Sequence, residues 1–130
     1  MNAALDASAL LALLFGEPGA EEVADAIAGG AAASAVNLSE VATVLVRHDK
    51  DPQQVLGPVR EQVAIEPFTD VDALAAAALH PKTASKGLSL GDRSCLALAQ
   101  RLGVAAVTAE LAWTEIELGI TIQLIRPRSS

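Results

Sequence analysis

Apolar residues along this chain switch between a period of two and a period near 3.6, and the switches mark alternating strands and helices. Residues 2–5 read as a short strand, and Ala7 to Phe15 as a helix stopped by Gly16 and Pro18. Glu21 to Ala28 reads as a second helix, with Val23, Ala24 and Ile27 on one face and Gly29-Gly30 at its end. Ala31 to Ala35 is a strand of small residues, and Val36 to Arg47 is helical, with Leu38, Val41, Val44 and Leu45 at core spacing. Pro52 falls at a helix start, and Val55 to Val63 continues that helix, although Gly57-Pro58 is expected to weaken or kink it. Ile65 to Phe68 reads as a strand, Asp70 to Leu79 as an Ala-rich helix, and His80 to Gly91 as a loop. Arg93 to Leu102 is helical up to Gly103, Val104 to Val107 is a strand, a short helix surrounds Trp113, and Ile120 to Ile125 is a final alternating strand.

Strands alternating with helices imply an α/β fold with a central parallel sheet of four to five short strands, flanked by helices on both faces. The chain has 130 residues, the size of one ordinary domain. That domain is expected over residues 1–126, with 127–130 as a polar tail. Ala, Leu and Val dominate the apolar residues, and Phe15, Phe68 and Trp113 are the only aromatics. A core of small aliphatics suits helices lying close on a sheet.

The formal net charge of −7 argues against a broad basic face for nucleic acid. It leaves room for an acidic site that meets nucleic acid through bound cations. Cys95 is the sole cysteine, so no disulfide forms within the chain, and it reads as a small buried hydrophobe in a helical run. The apolar stretch Leu10 to Phe15 has no Lys or Arg before it, carries Asp6 where a leader has positive charge, and is too short to span a bilayer. A cytoplasmic protein with no membrane partner is expected.

Four acids carry the chemistry. Asp6, Glu40, Asp92 and Glu110 each follow a short apolar run and sit near the start of a helical pattern. If those runs are strands of one parallel sheet, the carboxylates meet at its carboxyl edge, where open α/β sheets place functional groups. Crowded carboxylates repel unless protons or cations hold them. Oxygen-only ligands select hard ions such as Mg²⁺ or Mn²⁺. Each acid also has a plainer role. Asn37-x-x-Glu40 and Ser89-x-x-Asp92 fit capping boxes, Asp6 fits a helix cap, and Glu110 lies near the positive end of a short helix. The two roles are compatible, since a carboxylate fixed at a helix start is already oriented. Ser8 and Thr108, each two residues from an acid, place hydroxyls where they can bond a carboxylate or an ion's water. His48 and His80 have no metal-ligand spacing, and His48 reads as solvent-facing among Arg47, Asp49 and Lys50.

At these residues the chain resembles the PIN-domain nucleases, and specifically the VapC-type toxins of bacterial toxin–antitoxin pairs. The resemblance runs through Leu5 to Leu14, Glu17-Pro18-Gly19, Ser34 to Val41, Leu88 to Ala99 and Val107 to Trp113. It implies a metal-dependent endoribonuclease with Asp6 and Asp92 as principal ligands of Mg²⁺ or Mn²⁺. Glu40 would complete that site or hold a bound water, and Glu110 would be the fourth catalytic acid, with Ser8, Asn37 and Thr108 as supporting residues. The ion would activate water for in-line attack on an RNA phosphodiester. The resemblance further implies a homodimer and a VapB-like antitoxin presenting an Arg to the carboxylates. Where the family has Asp, this chain has Glu110, longer by one methylene, or ~1.5 Å. Three other readings stay open: a PIN fold kept as a binding module with weak or no cleavage, a phosphoacceptor receiver domain, and a DNA-directed or precursor-RNA-processing nuclease with the same chemistry. The second is weakened because Asp6 has no acidic neighbour and no Lys follows Val107.

Overall fold

The computed structural model describes residues 1–126; the expected tail, 127–130, lies outside the described residues. Five parallel strands form one sheet: β1 (Ala3–Leu5), β2 (Ala31–Ser34), β3 (Val63–Glu66), β4 (Ala105–Thr108) and β5 (Ile122–Leu124). Their spatial order is β3-β2-β1-β4-β5. The chain lays down β1, β2 and β3 outward in one direction, then returns to the other side of β1 for β4 and β5. The switch point therefore falls between β1 and β4. Receiver domains have the order 2-1-3-4-5, so that reading does not survive the topology.

Helices cover both faces. They are α1 (Ala7–Phe15), α2 (Ala20–Ala28), α3 (Ala35–Arg47), α4 (Pro52–Gln62), α5 (Asp70–Ala78), α6 (His80–Thr83) and α7 (Leu90–Leu102). Side-chain alternation divides the sheet between them. Ala3, Leu5, Ala31, Ala33 and Val107 face a core with Leu10, Val23, Val41 and Leu45. Ala4, Ala32 and Ala106 face a second core with Leu96, Leu98 and Trp113. The alanines let the helix backbones approach closely, while each fully buried Leu or Val contributes roughly 1.5–3 kcal/mol. Among the described residues no helix is long and apolar enough to cross a membrane.

Three sequence expectations are corrected. The segment from His80 is not a continuous loop: it forms α6 and a 3₁₀ turn at Ala84–Lys86, and α7 already begins at Leu90 because Ser89 caps it. The third strand is Val63–Glu66 rather than 65–68; Val63 leaves α4 already extended, and Pro67 cannot donate to the ladder. The fourth helix continues through Gly57-Pro58, as expected. Gly57 has no Cβ to meet the proline ring, which removes one of the clashes that usually exclude helix before proline. Finally, Asn37 does not cap a helix. Ser34 caps α3 by accepting from the Val36 amide, which places Asn37 inside the first turn.

The end of the sheet closes over the turn between α1 and α2. Gly19 has φ +99°, and a Cβ there would lie 2.7 Å from the Ile125 carbonyl oxygen. Arg126 Nη2 donates to Glu17 at 2.7 Å, and its Nε donates to the Pro18 carbonyl at 3.2 Å. Gly19→Ala therefore meets both a left-handed backbone and a backbone obstacle. It is expected to lower unfolding stability by roughly 2 kcal/mol or more, read as a lower urea midpoint. An unchanged midpoint would mean the closure adjusts freely.

Candidate metal centre at the carboxyl edge of the sheet

Asp6 is the first residue beyond β1 and the cap of α1. Its amide continues the ladder by donating to the Val107 carbonyl at 3.1 Å. Its carboxylate is 2% exposed and well supplied with donors. Oδ1 accepts from the Ala9 amide at 2.8 Å and from Ser8 Oγ at 2.7 Å. Oδ2 accepts from Thr108 Oγ1 at 2.6 Å. Thr108 is the last residue of β4, so this bond spans the switch point. Ser8 Oγ also receives the Ala109 amide at 2.9 Å, and Thr108 Oγ1 receives the Glu110 amide at 3.0 Å. Both expected supporting hydroxyls therefore bond Asp6.

Asp92 sits in the first turn of α7, where it completes the expected capping box. Its Oδ2 accepts from the Ser89 amide at 2.9 Å, and no described residue donates to Oδ1. Glu40 comes from α3, held by Asn37. The Asn37 Nδ2 donates to Glu40 Oε1 at 2.8 Å and to the Gly91 carbonyl at 3.0 Å, tying α3 to the start of α7. Asn37 is buried, and its Oδ1 has no partner among the described residues. Gly91 is the member of this group the sequence reading missed. A Cβ at Gly91 would fall within 3.0 Å of the Glu40 carboxylate, so the side chain that glycine lacks is what makes room for the acid. A glycine in a helix's first turn, which capping does not require, was the available signal.

The charges of these three acids act on shared neighbours. Burial pushes the Asp6 carboxyl up from the ordinary 3.8 to about 6, against the opposing hydrogen bonds, and the Asp92 charge adds to the rise. Burial also pushes the Cys95 thiol up, reinforced by the charges of Asp6, Asp92 and Glu40. Cys95 is fully buried, as expected. Glu110 is different. It is exposed, contributes to neither rise, and lines a cleft with Ser8, Phe15 and His48. Three of the four acids thus converge, and the fourth stands at the rim.

The donor set fits a hard divalent cation in its chemistry: all oxygen, one buried carboxylate held by several donors, and one free oxygen each on Asp92 and Glu40. Among the described residues, no three acidic, His or Cys side chains close on one point as they stand.

Fold and site together define a doubly wound α/β protein with an oxygen-donor centre at its switch point. A family profile for the PIN domain matches residues 3–117, and the chain belongs to that family. No curated protein sequence matches it. Solved structures with the same fold include VapBC2 from Rickettsia felis bound to a promoter DNA fragment, at TM-score 0.71 and 18% identity, covering 95% of this chain and 98% of that one. A toxin–antitoxin complex from Klebsiella pneumoniae gives TM-score 0.70 at 22% identity, covering 84% and 87%. The sarcin–ricin-loop-cleaving toxin VapC20 of Mycobacterium tuberculosis gives TM-score 0.70 at 17% identity, covering 88% and 94%.

Two measurements probe the site. Raising a carboxyl from 3.8 to about 6 means that ionising Asp6 costs the folded, ion-free protein about 3 kcal/mol. Between those values the folded state holds more protons than the unfolded state, so stability falls as pH rises. In chelator, wild type is expected to lose unfolding free energy from pH 4 to pH 7, and Asp6→Asn is expected to lack that component. Parallel pH profiles would contradict it. Separately, Gly91→Ala confronts, as its nearest atoms, those of the Glu40 carboxylate, the far end of a flexible side chain. It is expected to keep the thermal midpoint and to weaken Mn²⁺ binding by calorimetry roughly tenfold or more; unaltered affinity would show that Glu40 placement is immaterial.

Proposed function

We propose that the protein is a divalent-metal-dependent endoribonuclease acting as the toxin of a toxin–antitoxin pair. The observation that carries this reading is the convergence of Asp6, Glu40 and Asp92 beside the switch point, with Asp6 buried and braced by Ser8 and Thr108. Membership of the PIN family supports nuclease chemistry, and the fold is shared with solved toxin–antitoxin complexes.

In this reading Asp6 and Asp92 hold Mg²⁺ or Mn²⁺, and Glu40 completes the donor set. A bound ion of this kind supplies a Lewis acid that activates water and offsets charge on the phosphate. The chain's own residues fix where that happens. Ser8 and Thr108 hold both oxygens of Asp6, so its orientation costs nothing when substrate arrives. Asn37 sets the Glu40 carboxylate against the start of α7. Glu110, exposed at the rim, is the fourth catalytic acid and acts from the solvent side. The partners are an RNA substrate, a second copy of the chain, and a VapB-like antitoxin whose cationic side chain neutralises the carboxylates.

A second reading, a PIN fold that binds without cutting, is favoured by one observation: Glu110 stands apart from the other three acids. Purified, partner-free protein decides between them. With Mg²⁺ or Mn²⁺ it is expected to cut RNA, and chelator or Asp92→Asn is expected to remove at least 99% of the rate, on the order of the 10²-fold effects of losing a transition-state stabiliser. Circular dichroism would verify that the variant is folded. Folded wild type that binds RNA and leaves it intact would establish the binding module instead.

A further inference from the structure

We infer that the cleft between α1 and α3, beside the carboxylates, is a subsite for one unstacked nucleobase of the substrate strand, with Phe15 and His48 as its stacking surface. The inference rests on the ribonuclease reading above and names how substrate is held.

The cleft has a volume of about 460 Å³, and its lining includes Ser8, Leu11, Phe15, Val44, His48 and Glu110. It is continuous with the candidate centre, because Ser8 bonds both oxygens of Asp6 and Glu110 is the rim acid. A base seated there belongs to a nucleotide next to the reacting phosphate. Phe15 and His48 form the aromatic wall. Their ring centroids lie 5.6 Å apart, with the planes tilted 53°. Each closes a helix: Phe15 is the last residue of α1, and His48 is the cap of α3. Both are fixed to backbone that the sheet positions.

The use of the chain's few aromatics points the same way. Trp113 is fully buried, Phe68 packs against the second core, and Phe15 is 38% exposed. An exposed ring at the mouth of a catalytic cleft has a ready function in stacking, which tolerates any base. The charge balance favours such a contact. Lys86, Arg101 and Arg126 are each tied to carboxylates, and the Arg126 partner is Glu17, also lining this cleft. With a net charge of −7, capture of the phosphate backbone by surface cations is weak. A base–aromatic contact does not depend on net charge.

The test is steady-state cleavage of a fluorescent single-stranded RNA in Mg²⁺, using the full chain, with the same RNA carrying single abasic nucleotides around the cut. Phe15→Leu, which keeps apolar volume but removes the ring, is expected to raise KM about tenfold with kcat little changed, and Phe15→Trp is expected to restore it. His48→Ala is expected to give a smaller rise. One abasic position should raise the wild-type KM by a similar factor and add little in Phe15→Leu, because ring and base are two halves of one contact. Thermal midpoints would verify folding. If Phe15→Leu leaves KM unchanged, or the abasic loss adds in full, the subsite is wrong while cleavage stands; the cleft then suits a partner's apolar side chain. Wild type that is folded and binds Mn²⁺ yet cuts no RNA would remove the ribonuclease reading itself, and this subsite with it.

Discussion

The ionised carboxylate of Asp6, buried at the end of the central strand, is the constraint on which the rest of the molecule depends. Burying such a charge without compensation would cost several kcal/mol. The fold compensates from three directions: the α1 amide of Ala9, the hydroxyl of Ser8, and the hydroxyl of Thr108 from the neighbouring strand. Compensation remains incomplete, since the carboxyl still rises to about 6. In the proposed reading a bound cation would supply the missing part of the balance. That deficit is a reason to read the site as functional, because a cap alone would gain nothing from being buried beside a second acid.

Sheet topology supplies the place, and helix starts supply the geometry. Parallel strands deliver Asp6 and Thr108 to the same edge, and the switch between β1 and β4 separates the helices that would otherwise cover it. Asp92 enters from the first turn of α7, where Ser89 fixes one of its oxygens. Glu40 enters from α3, where Asn37 and the missing Cβ of Gly91 define its position. Asp6 and Asp92 are thus structural caps and candidate ligands at once, while Glu40 is held by a side chain. At Asp92 the two roles are compatible because one oxygen secures the backbone and no described residue donates to the other; at Asp6 both oxygens are already bonded.

Period and punctuation made much of this legible from the residues alone. The first helix was readable from Ala7 to Phe15 because Gly16 ends it in a left-handed conformation, and the sheet followed from alternation of element types. Legibility failed where local chemistry outweighed the pattern. Asn37 resembled a cap because its spacing to Glu40 is that of a capping box. Its true partners, Glu40 and the Gly91 carbonyl, include a contact 54 residues away that no local pattern can encode. The separation of Glu110 was likewise invisible, because its motif spacing says nothing of side-chain exposure.

The acids also differ in how firmly they are held, and the difference has a direction. Asp6 is bonded at both oxygens, Asp92 and Glu40 at one each, and the Glu110 side chain has no bonded partner among the described residues. Rigidity therefore declines from the buried strand end toward the rim. In the proposed reading, such a centre would keep one ligand preorganised, let two adjust as an ion arrives, and leave the outermost acid free to follow the substrate. The longer side chain of Glu110 suits that outer position, where reach matters more than fixed orientation. Phe15 and His48 stand on the same side as Glu110, so the adjustable end of the site is also the end facing the cleft.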